Sequence, residues 1–94
     1  METPTDLSER LLEQSARFSE LSDELSTILE GKPKIWLNIR SQTQSDTSAE
    51  RTWAATPDGI QETILKLKLK ALEKSMSAIK TRLRIASDEA RNLY

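Results

Sequence analysis

The side chains with the clearest chemical potential in this sequence are basic. Lys66, Lys68, Lys70, Lys74, Lys80, Arg82 and Arg84 fall within nineteen residues and are offset only by Glu73. Such a run suits a phosphate backbone, because each phosphate it neutralises releases condensed counterions. Upstream, Lys32, Lys34 and Arg40 surround Trp36, and Arg51 stands two residues before Trp53. Cations beside an aromatic suit sequence-tolerant binding of single strands: the cations hold phosphates while a base stacks on the ring, a contact worth about 1 to 3 kcal/mol. Lys32, Lys34, Trp36, Arg40, Arg51, Lys66, Lys68, Lys70 and Lys74 are therefore the candidate nucleic-acid contacts. The competing reading makes each tryptophan a core anchor where helices meet, the favoured reading for Trp53. It makes the lysines flanks of a helical seam that pair with acids, as Lys68 would with Glu73 of a parallel neighbour.

Other chemistries lack material. The chain has no His and no Cys, which excludes an imidazole base, a thiol nucleophile, a disulfide framework, a zinc finger and an iron-sulfur site. Gly31 and Gly59 are the only glycines, so no glycine-rich phosphate loop can form. The acids Glu20, Asp23 and Glu24, and the pair Asp88 and Glu89, have the donor type for a metal, but on charged helix faces they read as solvated surface. No catalytic residue, metal or cofactor is assigned, and the chain is not expected to be an enzyme.

The elements that must position these residues are helices. Thr5 or Asp6 can cap a first helix, about residues 5–30, whose apolar positions Leu7, Leu11, Phe18, Leu21, Leu25 and Ile28 form a heptad stripe interrupted by Gln14. Gly31-Lys32-Pro33 is expected to end it. Residues 31–40 make a basic, aromatic connector in which Ile35, Leu37 and Ile39 alternate with polar residues, compatible with strand or helix. Residues 41–48 are polar and aperiodic, hence a mobile loop. A short helix at about 47–55, capped by Asp46, packs Trp53. Thr56-Pro57-Asp58 then starts a long helix of about 57–92, with Thr as cap and Pro at the first position.

That last helix carries the strongest pattern. Leu65, Leu69, Leu72, Met76, Ile79, Leu83, Ala86, Ala90 and Leu93 follow one another in unbroken steps of four and three. A chain of 94 residues buries only about 60 to 65 per cent of its unfolded surface, and a helix of some 50 Å cannot hide inside it. With Leu69 at heptad position a, Ile64, Ala71, Ala78 and Ile85 fall at c, with Ile60 and Leu67 beside them. Two seams imply two partners: the first helix of the same chain and another copy. The expected fold is all-α, a helical hairpin forming one domain and assembling as a coiled-coil or helical-bundle homo-oligomer. Leu65, Leu69, Leu72, Met76, Ile79 and Leu83 are its interface.

Charge is segregated along the chain. Residues 1–30 carry eight acids and two Arg, residues 31–65 carry four of each, and residues 66–94 carry eight bases and three acids. No apolar run approaches the roughly 18 residues of a membrane span, and no signal-peptide pattern opens the chain. A soluble protein of the cytoplasm is expected.

An acidic first helix, a basic segment with an aromatic, a polar loop and a Lys-rich helix containing Lys70-Ala71-Leu72-Glu73-Lys74, Ile79 and Arg82 together resemble the phage UvsY-type recombination mediators. The resemblance implies a small helical protein in ring-like homo-oligomers that binds single-stranded DNA and helps load a RecA-like recombinase onto strands covered by single-strand-binding protein. It further implies that Lys32, Lys34 and Arg40 contact DNA, and that the compartment is the host cytoplasm if the chain is phage-encoded. The alternatives are a structural coiled-coil adaptor or phage assembly protein without a nucleic-acid role, and a small inhibitor whose acidic helix, with Glu13, Glu20 and Asp23, occupies another protein's basic groove.

Overall fold

The computed structural model describes residues 2–92, without the side chain of Asn92. Leu93, the last position of the heptad stripe, lies outside the described residues. The described residues form three helices: α1 Pro4–Ser41, α2 Asp46–Ala55 and α3 Pro57–Asn92. α1 and α3 form a long antiparallel hairpin with extents of 69 × 20 × 18 Å, and α2 packs against both at the closed end.

Local chemistry sets each start. The cap of α1 is Thr3 rather than Thr5 or Asp6: its hydroxyl accepts from the Asp6 N–H, the Asp6 carboxylate accepts from the Thr3 N–H, and Pro4 takes the first turn. α2 is capped by Ser45, whose hydroxyl accepts from the Ser48 N–H. Asp46, the expected cap, is the first helical residue and receives the Arg40 Nε–H at 2.7 Å instead. Thr56 accepts from the Gly59 N–H at 3.0 Å and starts α3.

The main correction concerns residues 31–40. The first helix does not stop at Gly31-Lys32-Pro33; it runs through them to Ser41, so the connector and the first residue of the expected loop are helical. No glycine has positive φ, so Gly31 is no left-handed cap. Pro33 leaves the Leu29 carbonyl without a helix N–H. The helix persists because its inward face continues past the proline with the half-buried Lys32, Trp36 and Ile39. Trp36, not Ile35, turns inward; Ile35 is 40% exposed. The drift follows from a helix of 3.6 residues per turn carrying a repeat of 3.5. The expected loop 41–48 shrinks to four residues, 42–45, between α1 and α2.

The seam is intramolecular. Leu7 and Leu21 of α1 and Leu65 and Ile79 of α3 are buried, with Leu11, Phe18, Leu25, Ile28, Leu69, Leu72, Met76 and Leu83 half-buried along the same two faces. Met76 Sδ receives the Ser15 hydroxyl at 3.6 Å. The residues expected at an oligomer interface, Leu65 to Leu83, thus already face α1 of the same chain. Ala49 and Trp53 of α2 close the end of the core.

Candidate functional site

Lys32 occupies the seam position after Ile28, and its ammonium lies 3.1 Å from Glu62 Oε1, the α3 position before Leu65. Glu62 is only 6% exposed. Its second oxygen receives the Trp53 indole N–H at 3.3 Å, and Lys66, one turn on, approaches to 3.7 Å. Lys32 also lies 5.4 Å from the Trp53 ring centroid, within cation–π range. Burial pushes the Glu62 carboxyl up. The hydrogen bonds from Lys32 and Trp53 and the charges of Lys32 and Lys66 outweigh it, and the group ends below the usual carboxylate range. Trp53 is therefore a core anchor with a satisfied indole, 2% exposed.

Trp36 differs. It is half-buried and lines a groove of ≈ 360 Å³ between α1 and α2 with Leu29, Lys32, Pro33, Leu37 and Glu50. Its indole N–H is buried without a hydrogen-bond partner. Arg40 is tied to the turn, paired with Asp46 and donating to the Thr43 carbonyl at 3.1 Å. Lys34 and Arg51 are exposed. Of the candidate nucleic-acid residues, the structure brings Lys32, Lys34, Trp36, Arg40, Arg51 and Lys66 to the closed end of the hairpin and holds Lys32, Lys66 and Arg40 in ion pairs.

The exposed chemistry lies on α3, which has three sides. Its a and d positions face α1. Its b and e positions form a flank with Lys66, Lys70, Lys80 and Arg84, all exposed. Its c and f positions carry the exposed apolar stripe of Ile60, Ile64, Leu67, Ala71, Ala78 and Ile85, with Lys74 among them. Lys68 and Arg82 sit at g, and Arg82 meets Glu2 at 3.4 Å while Glu2 also pairs with Arg10. Among the described residues, Lys68, Lys70, Lys74, Lys80 and Arg84 make no ion pair. Of the acids of α1, Glu9, Glu13, Glu20, Asp23 and Glu30 are exposed at positions c and f, away from the seam, and Glu24, at g beside it, makes no ion pair among the described residues.

Glu62 escaped the sequence reading. Its signal was available: three residues before Leu65 and four after Ile28, the two stripes continue into Glu62 and Lys32, opposite charges at seam positions. Among the described residues no cluster of three or more His, Cys, Asp or Glu could hold a metal ion, and no helix is long and apolar enough to cross a membrane. No protein-family model matches the chain, and neither a curated protein nor a solved structure gives a significant match to it.

Proposed function

We propose that this chain is an oligomeric accessory protein that binds single-stranded DNA along the basic flank of α3. By its resemblance to UvsY-type mediators, it helps load a RecA-like recombinase onto strands coated by single-strand-binding protein, in the host cytoplasm if phage-encoded. The carrying observation is that the exposed flank bases Lys70, Lys80 and Arg84, with Lys74 and Lys68 on the adjoining sides of α3, find no acid among the described residues. A surface of that kind recruits phosphates without reading sequence. Lys66 extends the flank toward the end where Trp36 lines its groove, which supplies an aromatic for stacking. Each site is weak alone, and several linked copies raise the overall affinity.

The test is a titration of labelled oligo-dT at low and moderate salt. Binding should weaken as salt rises, and Lys70→Gln/Lys80→Gln/Arg84→Gln should flatten the logarithmic salt slope by about 2, at roughly 0.7 per lost phosphate contact. Equal binding by the triple variant, or no binding at low salt, overturns the reading.

A structural adaptor is the second reading. It is favoured by the use of Lys32, Arg40 and Trp53 within the chain and by the uncovered stripe of α3. It predicts an oligomer indifferent to the strand at both salts.

A further inference from the structure

The bases of α3 are not spread evenly along the helix. Lys66, Lys70 and Lys74 follow one another in steps of four, and Lys80 and Arg84 repeat the first of those steps two heptads later; all five are exposed. Residues four apart on a helix are neighbours, with Cβ atoms about 5 to 6 Å apart, so each set makes a short row inclined to the axis. Between the rows the spacing breaks. Lys80 lies about 9 Å beyond Lys74 along the axis and about a third of a turn around it. The flank positions between them hold Glu73 and Ser77, both exposed. Acids also bound the rows at their outer ends: Glu62, four residues before Lys66, approaches it to 3.7 Å, and Asp88, four residues after Arg84, stands where a third base would continue the second row.

We propose that α3 holds single-stranded DNA at two separate phosphate rows, Lys66-Lys70-Lys74 and Lys80-Arg84, with the strand bridging over Glu73. Only a strand long enough to meet both rows then binds with full affinity. The proposal rests on the strand-binding reading of the flank and adds its footprint.

Charge and length both follow from the spacing. Within a row the cations repel one another, since like charges four apart destabilise a helix. Among the described residues no acid pairs with Lys70, Lys74, Lys80 or Arg84. A phosphate set between two neighbours relieves that repulsion, whereas a phosphate over the gap meets the Glu73 carboxylate. From Lys66 to Arg84 the rows span about 27 Å at 1.5 Å per residue. A stacked strand advances about 3.4 Å per nucleotide, so the phosphates of dT10 reach across both rows in about eight steps. The three phosphates of dT4 cover only about 7 Å and stay on one row. Once one row is engaged, the second is offered to the same strand at a high effective concentration, and affinity rises in a step when the strand becomes long enough.

Labelled dT4, dT6, dT8 and dT10 are titrated with dilute full-length protein at several salt concentrations. The logarithmic salt slope should grow from about 2 for dT4 to about 3.5 for dT10, at roughly 0.7 per phosphate contact. Lys80→Gln/Arg84→Gln should leave dT4 within about twofold, because the first row is intact, and weaken dT10 by about tenfold or more. Its far-UV helicity should be unchanged, both positions being exposed. Glu73→Lys gives an independent reading: it fills the gap, so dT6 and dT8 should gain more than dT4 and the step should disappear. Affinity that climbs evenly from dT4 to dT10, or equal losses for dT4 and dT10 in Lys80→Gln/Arg84→Gln, means one continuous surface and overturns the two rows while leaving strand binding in place. No binding at any length overturns both.

Discussion

Glu62 is the residue on which the closed end of the hairpin turns. It is buried, and Lys32, Lys66 and Trp53 converge on its two oxygens. Removing its charge leaves the Lys32 ammonium, whose side chain is only 24% exposed, without its acid. Glu62→Gln should therefore destabilise the protein by about 1 to 3 kcal/mol in urea unfolding. The double variant Lys32→Leu/Glu62→Leu should recover most of that loss, because apolar side chains in a seam need no desolvated pair. If the double variant is as unstable as Glu62→Gln, the indole bond to Trp53, not the ion pair, is the part that matters. The pair also sets a pH response. The Glu62 carboxyl is held below its ordinary value, so over the acidic window the unfolded chain binds more protons than the folded one. Its contribution is complete above the unfolded pKa and is lost as pH falls through the folded one. Urea midpoints should decline below about pH 4.5, the ordinary value for the group, and Glu62→Gln should flatten that decline.

At the scale of the element, the two glycines and the inner proline predict opposite responses. A Cβ at Gly31 meets open space, and the residue sits within a helix, so Gly31→Ala should stabilise by about 1 kcal/mol. A Cβ at Gly59 would fall within contact of the Trp53 carbonyl, so Gly59→Ala should push α2 from α3 and lower the melting temperature. Pro33→Ala restores the N–H that the Leu29 carbonyl lacks and should stabilise by up to about 3 kcal/mol. Thermal melts of the three variants check the order. These same residues mark where the sequence was legible. α3 was readable because its stripe runs without error, and its cap Thr56 is followed by Pro57. The end of α1 was not, because Gly31 and Pro33 are local stop signals that tertiary packing overrides, and the stripe continues through a lysine that looks like a surface charge. The basic flank of α3 was visible in sequence, whereas the commitment of Lys32 and Arg40 depends on Glu62 and Asp46, acids 30 and 6 residues away.

The whole molecule is a hairpin one helix pair thick, and its stability is concentrated along a single line. Among the described residues, Leu7, Leu21, Ala49, Trp53, Leu65 and Ile79 are the buried apolar side chains, a small core for a chain of 94 residues. A charge placed in that line should unfold the chain rather than merely separate copies, because Leu72 and Met76 face α1 of their own chain. Leu72→Glu or Met76→Glu should therefore lose far-UV helicity as well as mass, whereas Ile64→Asp/Leu67→Asp should lose mass alone. The same thin core makes folding and association inseparable. Any copy that covers the α3 stripe of the folded state and not of the unfolded one stabilises by mass action. The melting temperature of the unmodified protein should rise with protein concentration, and that of Ile64→Asp/Leu67→Asp should not. A concentration-independent melt for both would mean that the hairpin stands alone, and that the exposed isoleucines and Leu67 serve a partner other than this chain.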